Sequence, residues 1–288
     1  MNKYPARIYL NDQIVTYQNA KISVFDRGFL FGDGVYEVMV QKNGKIFRQQ
    51  DHLHRFDSSL EKVGITFDTH SISERVSRLL EASQLNHEDC LIYMQVTRGI
   101  APRKHAFPKD PKPSFMMYAS PISMPEINLT PVVAVTMPDF RWSRCDIKMT
   151  SLLGNVMASD YASKQGAYEA LLVREGKVTE ASHCNVFFVK NEIVYTHPAN
   201  EHILAGITRK IVLELCEQLA LEVIEEAVSQ KDIMHMDEAF LTGSSTQIAS
   251  IKQVDQYLYY ENDSAGPITK KLQQAFARLR ASQKPATK

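Results

Sequence analysis

Apolar and polar positions alternate over residues 7 to 16 across Asn11-Asp12, and again from Val35 to Phe47 across Lys42-Asn43-Gly44, which predicts two β-hairpins. Between them, Phe25 to Gly34 reads as a glycine-rich loop carrying Asp26 and Arg27. The period then changes. Apolar residues three and four apart over Gln50 to Val63 and Ser71 to Leu85 predict two amphipathic helices. Leu91 to Val96 and Phe115 to Ala119 read as returning strands, separated by the basic loop Thr97-Arg98-Gly99-Ile100-Ala101-Pro102-Arg103-Lys104-His105. Ser120 to Pro125 has the composition of a linker.

Beyond it, Pro131 to Val135 predicts a strand, and the alternating segment Trp142 to Asn155 brings Lys148 to a half-buried strand end. A helix over Val156 to Gln165, hairpins turning at Glu175-Gly176 and Asn191-Glu192, a helix from Gly206 to Leu219, a strand over Ala239 to Leu241 and a helix from Pro267 to Arg280 complete the pattern. The expected division is an N-terminal domain over 1–120, a linker over 121–126, a C-terminal domain over 127–282 and a disordered tail over 283–288.

Length agrees with two domains sharing a cleft, since 288 residues exceed one average domain. A formal net charge of +0 without a basic run argues against nucleic acid or an anionic membrane surface as partner and favours a small metabolite. No stretch reaches the roughly 20 apolar residues of a membrane span, and the first residues lack a signal-peptide core. Cys90, Cys145, Cys184 and Cys216 are too far apart for a disulfide framework or a Cys-x-x-Cys motif, so reduced thiols in the cytoplasm are expected. His52 and His54 stand close, but no third ligand follows at a metal-binding spacing, and no metal is expected.

Four features carry candidate chemistry. A lysine amine at position 148 can attack a carbonyl to form an imine, although taken alone it reads more readily as a snorkelling lysine. Glu180, among small polar residues and expected between strands, could hold a proton on a pyridine nitrogen; alone it is a turn acid. Gly206-Ile207-Thr208 at a helix start, Gly243-Ser244-Ser245, and the planar fork of Arg55 could each grip a phosphate. Their plainer readings are a helix junction, a serine-rich loop and a surface arginine.

Read together, Asp26-Arg27-Gly28, Phe31-Gly32-Asp33-Gly34-Val35-Tyr36-Glu37, Arg55, Cys145-Asp146-Ile147-Lys148, Thr179-Glu180, Asn185-Val186-Phe187 and Leu204-Ala205-Gly206-Ile207-Thr208-Arg209 resemble the class IV pyridoxal-phosphate aminotransferases. Gln95 to Gly99 and Arg103-Lys104-His105 resemble the D-amino-acid branch of that family. The resemblance implies an α+β fold of two domains, with a smaller N-terminal α/β domain, a larger C-terminal domain with a barrel-like sheet, and pyridoxal 5'-phosphate in the cleft between them. It implies that Lys148 holds the cofactor as an imine and moves the substrate proton, and that Glu180 pairs with the ring nitrogen. Arg55, Gly206, Ile207, Thr208, Gly243 and Ser244 would hold the phosphate, and Leu204 would pack on the ring. Tyr36, with Arg103 and His105 from a second subunit, would bind the substrate carboxylate, so a homodimer is expected. The implied reaction is transamination between D-amino acids and 2-oxo acids, D-alanine with 2-oxoglutarate giving pyruvate and D-glutamate. Branched-chain L-amino-acid transamination, 4-amino-4-deoxychorismate lysis and a non-catalytic binding protein are the rivals. Two positions depart from the pattern. His183 and Cys184 stand where the D-branch has small hydroxyl residues, and Gly243 stands where serine is common.

Overall fold

The computed structural model describes residues 4–124, 127, 131–261 and 264–282, which fall into two compact units. The first takes the described residues up to Met124 together with Ile147–Ser151, and the second takes the rest. Of the linker expected over 121–126, residues 125 and 126 lie outside the described residues, as does the whole tail expected over 283–288.

The first unit runs β1 (Arg7–Leu10), β2 (Gln13–Thr16), α1 (Arg27–Phe31), β3 (Gly34–Lys42), β4 (Lys45–Ile46), α2 (Gln49–Val63), α3 (Ile72–Ala82), β5 (Cys90–Thr97) and β6 (Ser114–Pro121). Its sheet has the order β2-β1-β6-β5-β3-β4, antiparallel throughout. Asn11 and Asp12 turn the first hairpin at φ 46° and 67°, the left-handed conformation that matches strand twist and that these two residue types tolerate. α2 buries Leu53, Phe56 and Leu60, and α3 buries Ile72, Val76 and Leu79, each set one stripe of a 3.6-residue period. Both stripes join Met39, Ile92, Met94 and Met117 in one core, where each fully buried side chain contributes about 1.5–3 kcal/mol. The loop expected over 25–34 contains α1. Asp26 caps it by accepting from Gly28 N at 2.8 Å, and Gly32 at φ 66° ends it, but five residues are too few to show a helical period.

The second unit runs β7 (Val132–Pro138), α4 (Leu153–Lys164), β8 (Glu169–Arg174), β9 (Lys177–Ala181), β10 (Asn185–Lys190), β11 (Ile193–Thr196), α5 (Ile207–Gln218), β12 (Val223–Ile224), a 3-10 turn (Gln230–His235), β13 (Glu238–Gly243), β14 (Gln247–Val254), β15 (Tyr257–Leu258) and α6 (Pro267–Ala281). The strands form one mixed sheet, β12-β11-β10-β13-β14-β7-β8-β9 with β15 on β14, curled into a half-barrel. Glu238 on β13 holds the start of α6 by accepting from Ile268 N at 2.9 Å and Thr269 N at 2.8 Å. Three expectations change here. The Lys148 segment is not a strand, and its residues 147–151, expected in the C-terminal domain, cluster with the first unit. Glu180, expected between strands, lies on β9. β14 was not expected, because Ile248, Ala249, Ile251 and Val254 do not alternate: the strand buries both faces.

Candidate active site

Lys148 is held through its backbone by the start of β3. Val35 bridges Met149, Tyr36 N donates to Lys148 O at 2.9 Å, and Thr150 N donates to Gly34 O at 3.0 Å. On the other side Lys148 N donates to Ser59 Oγ at 3.2 Å. The half-buried side chain carries Nζ to 4.3 Å from the centre of the Tyr36 ring and makes no ion pair among the described residues. Tyr36 in turn stacks on Tyr93, and Tyr93 on Tyr118, with ring centres 5.6 and 5.1 Å apart. An amine so placed is fixed at its base, faces an aromatic surface and, among the described residues, has no carboxylate to hold it.

Glu37, the next residue on β3, points to the opposite face of the sheet, as the strand period requires. It is completely buried, accepting from Arg55 Nε at 2.9 Å and Nη2 at 2.7 Å and bonded to His52 Nδ1 at 3.0 Å. Burial alone would raise its pKa, but Arg55 and His52 outweigh burial and hold the carboxyl far below its ordinary range. The fork of Arg55, expected to face a phosphate, is thus oriented by Glu37.

Arg103 and His105 are exposed on the loop after β5, with Arg103 Cζ and the His105 ring 5.3 and 5.7 Å from the centre of Phe31. Arg27 anchors this loop from below. It is buried, donates through Nη1 to Lys104 O at 2.7 Å, and pairs through Nε with Asp33 at 2.6 Å. Arg98 completes the anchor, pairing with Asp33 at 2.9 Å and lying 3.7 Å over the ring of Phe107. Neither Arg103 nor His105 meets Tyr36 or Lys148 within the chain, among the contacts of the described residues.

In the second unit Glu180 is buried and fully engaged. Oε1 accepts from Arg141 Nη1 at 2.6 Å, and Oε2 accepts from Asn185 Nδ2 and Leu204 N, each at 3.1 Å. Burial pushes its pKa up to about 6 against the pull of Arg141 and the Leu204 N–H, so the carboxylate is ionised at neutral pH. Arg141 is held by Asp139 through Nε and Nη2, both at 2.9 Å, and nothing in the linear pattern marked it except the alternation Asp139-Phe140-Arg141.

Asn185 gathers the remaining pieces. Its Nδ2 also donates to Leu204 O at 2.8 Å, and its strand partner is Thr242, the residue before Gly243 and Ser244. A Cβ on Gly206 would stand 2.1 Å from Asn185 Oδ1, so only glycine fits this helix start. Gly206 caps α5 in an extended conformation with no side-chain bond, leaving the first backbone N–H groups of a 12-residue helix for an anion, beside buried Ile207 and Thr208. Thr242 Oγ1 is buried without a hydrogen-bond partner.

The profile of the family described as Amino-transferase class IV matches residues 34–254. The chain belongs to the class IV aminotransferases. It is 37% identical to the D-alanine aminotransferase of Staphylococcus epidermidis over 94% of this chain and 96% of that one. It is 38% identical to the D-alanine aminotransferase of Bacillus licheniformis over 93% and 95%. The branched-chain amino acid aminotransferase of Escherichia coli has a similar structure, with a TM-score of 0.88, 22% identity and coverage of 96% and 95%, which shows the shared fold. Class IV aminotransferases work with pyridoxal phosphate. In the second unit the residues present suit that group: an uncapped helix start, a glycine with no room for a side chain, an orphan buried hydroxyl and a buried carboxylate. In the first unit, Lys148 makes no ion pair among the described residues.

Proposed function

We propose that this chain catalyses transamination between D-amino acids and 2-oxo acids, with D-alanine and 2-oxoglutarate giving pyruvate and D-glutamate as the principal pair. Likeness to D-alanine aminotransferases over nearly the whole chain carries this reading. When bound, pyridoxal phosphate supplies a ring that takes up the electron pair left at the substrate carbon once its proton is removed. The protein's share is to bind, orient and move that proton. Lys148 holds the cofactor and carries the proton at its ε-amine. Glu180 keeps the ring nitrogen protonated, itself oriented by Arg141, Asn185 and Leu204 N. Leu204 packs on the ring, and Arg55, Gly206, Ile207, Thr208, Gly243 and Ser244 hold the phosphate. Tyr36 with Arg103 and His105 holds the substrate carboxylate.

The last two residues act from a second copy in a homodimer. That neither contacts Tyr36 within one chain, among the described residues, supports this, as do Phe25, Phe29, Ile100 and Phe107, a set of exposed large apolar side chains beside the same loop. The enzyme works in the cytoplasm, a setting supported by four free, buried cysteines.

The deciding measurement is kcat/KM for D-alanine and for L-leucine with 2-oxoglutarate. D-Alanine is expected to be preferred, and Arg103→Leu to lower its kcat/KM about ten- to a hundredfold, the worth of a charge-assisted hydrogen bond of about 1.5–3 kcal/mol. Preference for L-leucine would replace this reading with branched-chain transamination. For the phosphate, Arg55→Lys keeps a cation against Glu37 but loses the fork. It is expected to raise the dissociation constant for pyridoxal phosphate about tenfold in equilibrium dialysis. Equal retention would remove Arg55 from the phosphate site.

A further inference from the structure

The turn between β9 and β10 is tight, because Ala181 N donates to Cys184 O at 2.7 Å. It brings the adjacent side chains of His183 and Cys184 over the first residue of β8, Glu169, which is completely buried. Glu169 is held in place by the turn itself. It accepts from Ser182 N at 3.1 Å, from His183 N at 3.2 Å and from Ser182 Oγ. His183 Nδ1 lies 2.7 Å from Glu169 Oε1, and half of the His183 side chain is open to solvent. Cys184 Sγ is buried, 3.3 Å from Thr246 Oγ1. One carboxylate oxygen, one imidazole nitrogen and one sulfur lie within 4.8 Å of one another.

From this cluster we infer that Glu169, His183 and Cys184 form a binding site for a thiophilic divalent cation, and that zinc is the ion it fits. Tetrahedral zinc takes sulfur at about 2.3 Å and nitrogen or oxygen at about 2.0–2.2 Å, which sets its ligand atoms roughly 3.3–3.7 Å apart. Zinc would draw the three atoms from their present separations, within 4.8 Å, to that spacing; two of them stand on one turn and the third on the neighbouring strand. Mixed oxygen, nitrogen and sulfur donors select zinc over magnesium or calcium, which take oxygen. Binding releases the thiol proton and places a divalent charge beside a fully buried carboxylate. Three protein ligands leave the fourth position to water on the exposed side of His183. The linear sequence pointed to no metal because its ligands are 14 and 15 residues apart across two strands, a spacing that belongs to no zinc motif.

The site borders Gly243, whose Cβ position would lie 3.0 Å from Cys184 Sγ, so its test reads metal content and needs no turnover. The protein saturated with pyridoxal phosphate is dialysed against zinc chloride in a non-chelating buffer and its metal content measured by atomic emission. Wild type is expected to keep about one zinc per chain, with sulfur at about 2.3 Å in X-ray absorption. His183→Ala and Cys184→Ser are each expected to weaken binding at least about tenfold, the usual cost of a lost ligand or its support. His183 is half exposed, so its variant leaves the fold intact even if Cys184→Ser does not. Zinc should raise the thermal midpoint of wild type and not that of His183→Ala. Wild type that binds no zinc, or a His183→Ala variant that binds it as tightly, overturns the proposal.

Discussion

Lys148→Ala is expected to lose at least about a ten-thousandfold in kcat while still retaining pyridoxal phosphate, the largest effect of any single substitution in this chain. The reason is positional. Backbone bonds from Tyr36 and to Ser59 fix the base of the side chain, and the amine faces the Tyr36 ring with no carboxylate partner among the described residues. An alanine keeps the main-chain bonds, which run through N and O, so the fold should persist. What disappears is the group that joins the cofactor and carries the substrate proton. The phosphate contacts assigned to Gly206, Ile207 and Thr208 remain. The check is a single-turnover reaction with D-alanine followed by absorbance, alongside cofactor content after dialysis. Turnover within tenfold of wild type would remove Lys148 from its role.

Glu180→Gln should bind the cofactor normally and lower kcat by about 10²–10³-fold, the scale of one electrostatic group lost from a water-excluded site. The amide keeps the shape, and its oxygen can still accept from Asn185 or Leu204 N, but it carries no charge to keep a ring nitrogen protonated. Arg141 keeps its pair of bonds to Asp139, so the substitution does not leave a buried cation alone. Burial pushes the carboxyl up to about 6 in the free chain, and a protonated ring nitrogen beside it would draw it back down. Wild-type kcat/KM is therefore expected to fall only as pH drops below about 6, and Glu180→Gln to lack that limb. An unchanged rate in the variant, with the acid limb intact, would show that another group serves the ring.

Much of the fold was legible because it obeys local rules. Asn11-Asp12 and Asn43-Gly44 turn their hairpins, and α2, α3, α5 and α6 show their apolar stripes and end within a few residues of where those stripes predict. What escaped has a physical reason in each case. α1 is shorter than two helical turns, and β14 buries both faces and so does not alternate. The Lys148 segment alternates like a strand, yet it pairs only through an isolated bridge between Val35 and Met149.

Of the candidate site, the residue types at Lys148, Glu180, Arg55 and Gly206 could be named from the chain because each carries chemistry that few residues can supply. Their supports could not. Glu37 orients Arg55 across 18 positions, Arg141 reaches Glu180 across 39, and Asn185 meets Leu204 across 19. Periodicity reports which face of an element is apolar, and it says nothing about which polar groups from distant strands will share one buried space. Glu169, His183 and Cys184 make the same point: each is unremarkable alone, and only strand pairing and a tight turn set an oxygen, a nitrogen and a sulfur side by side. The sequence by itself determined most of the elements, the family and the reactive groups, since those depend on local pattern and side-chain chemistry. Tertiary structure alone decided which buried charges are paired and which way each reactive group points, because desolvation penalises any polar atom whose partner the fold does not bring within reach.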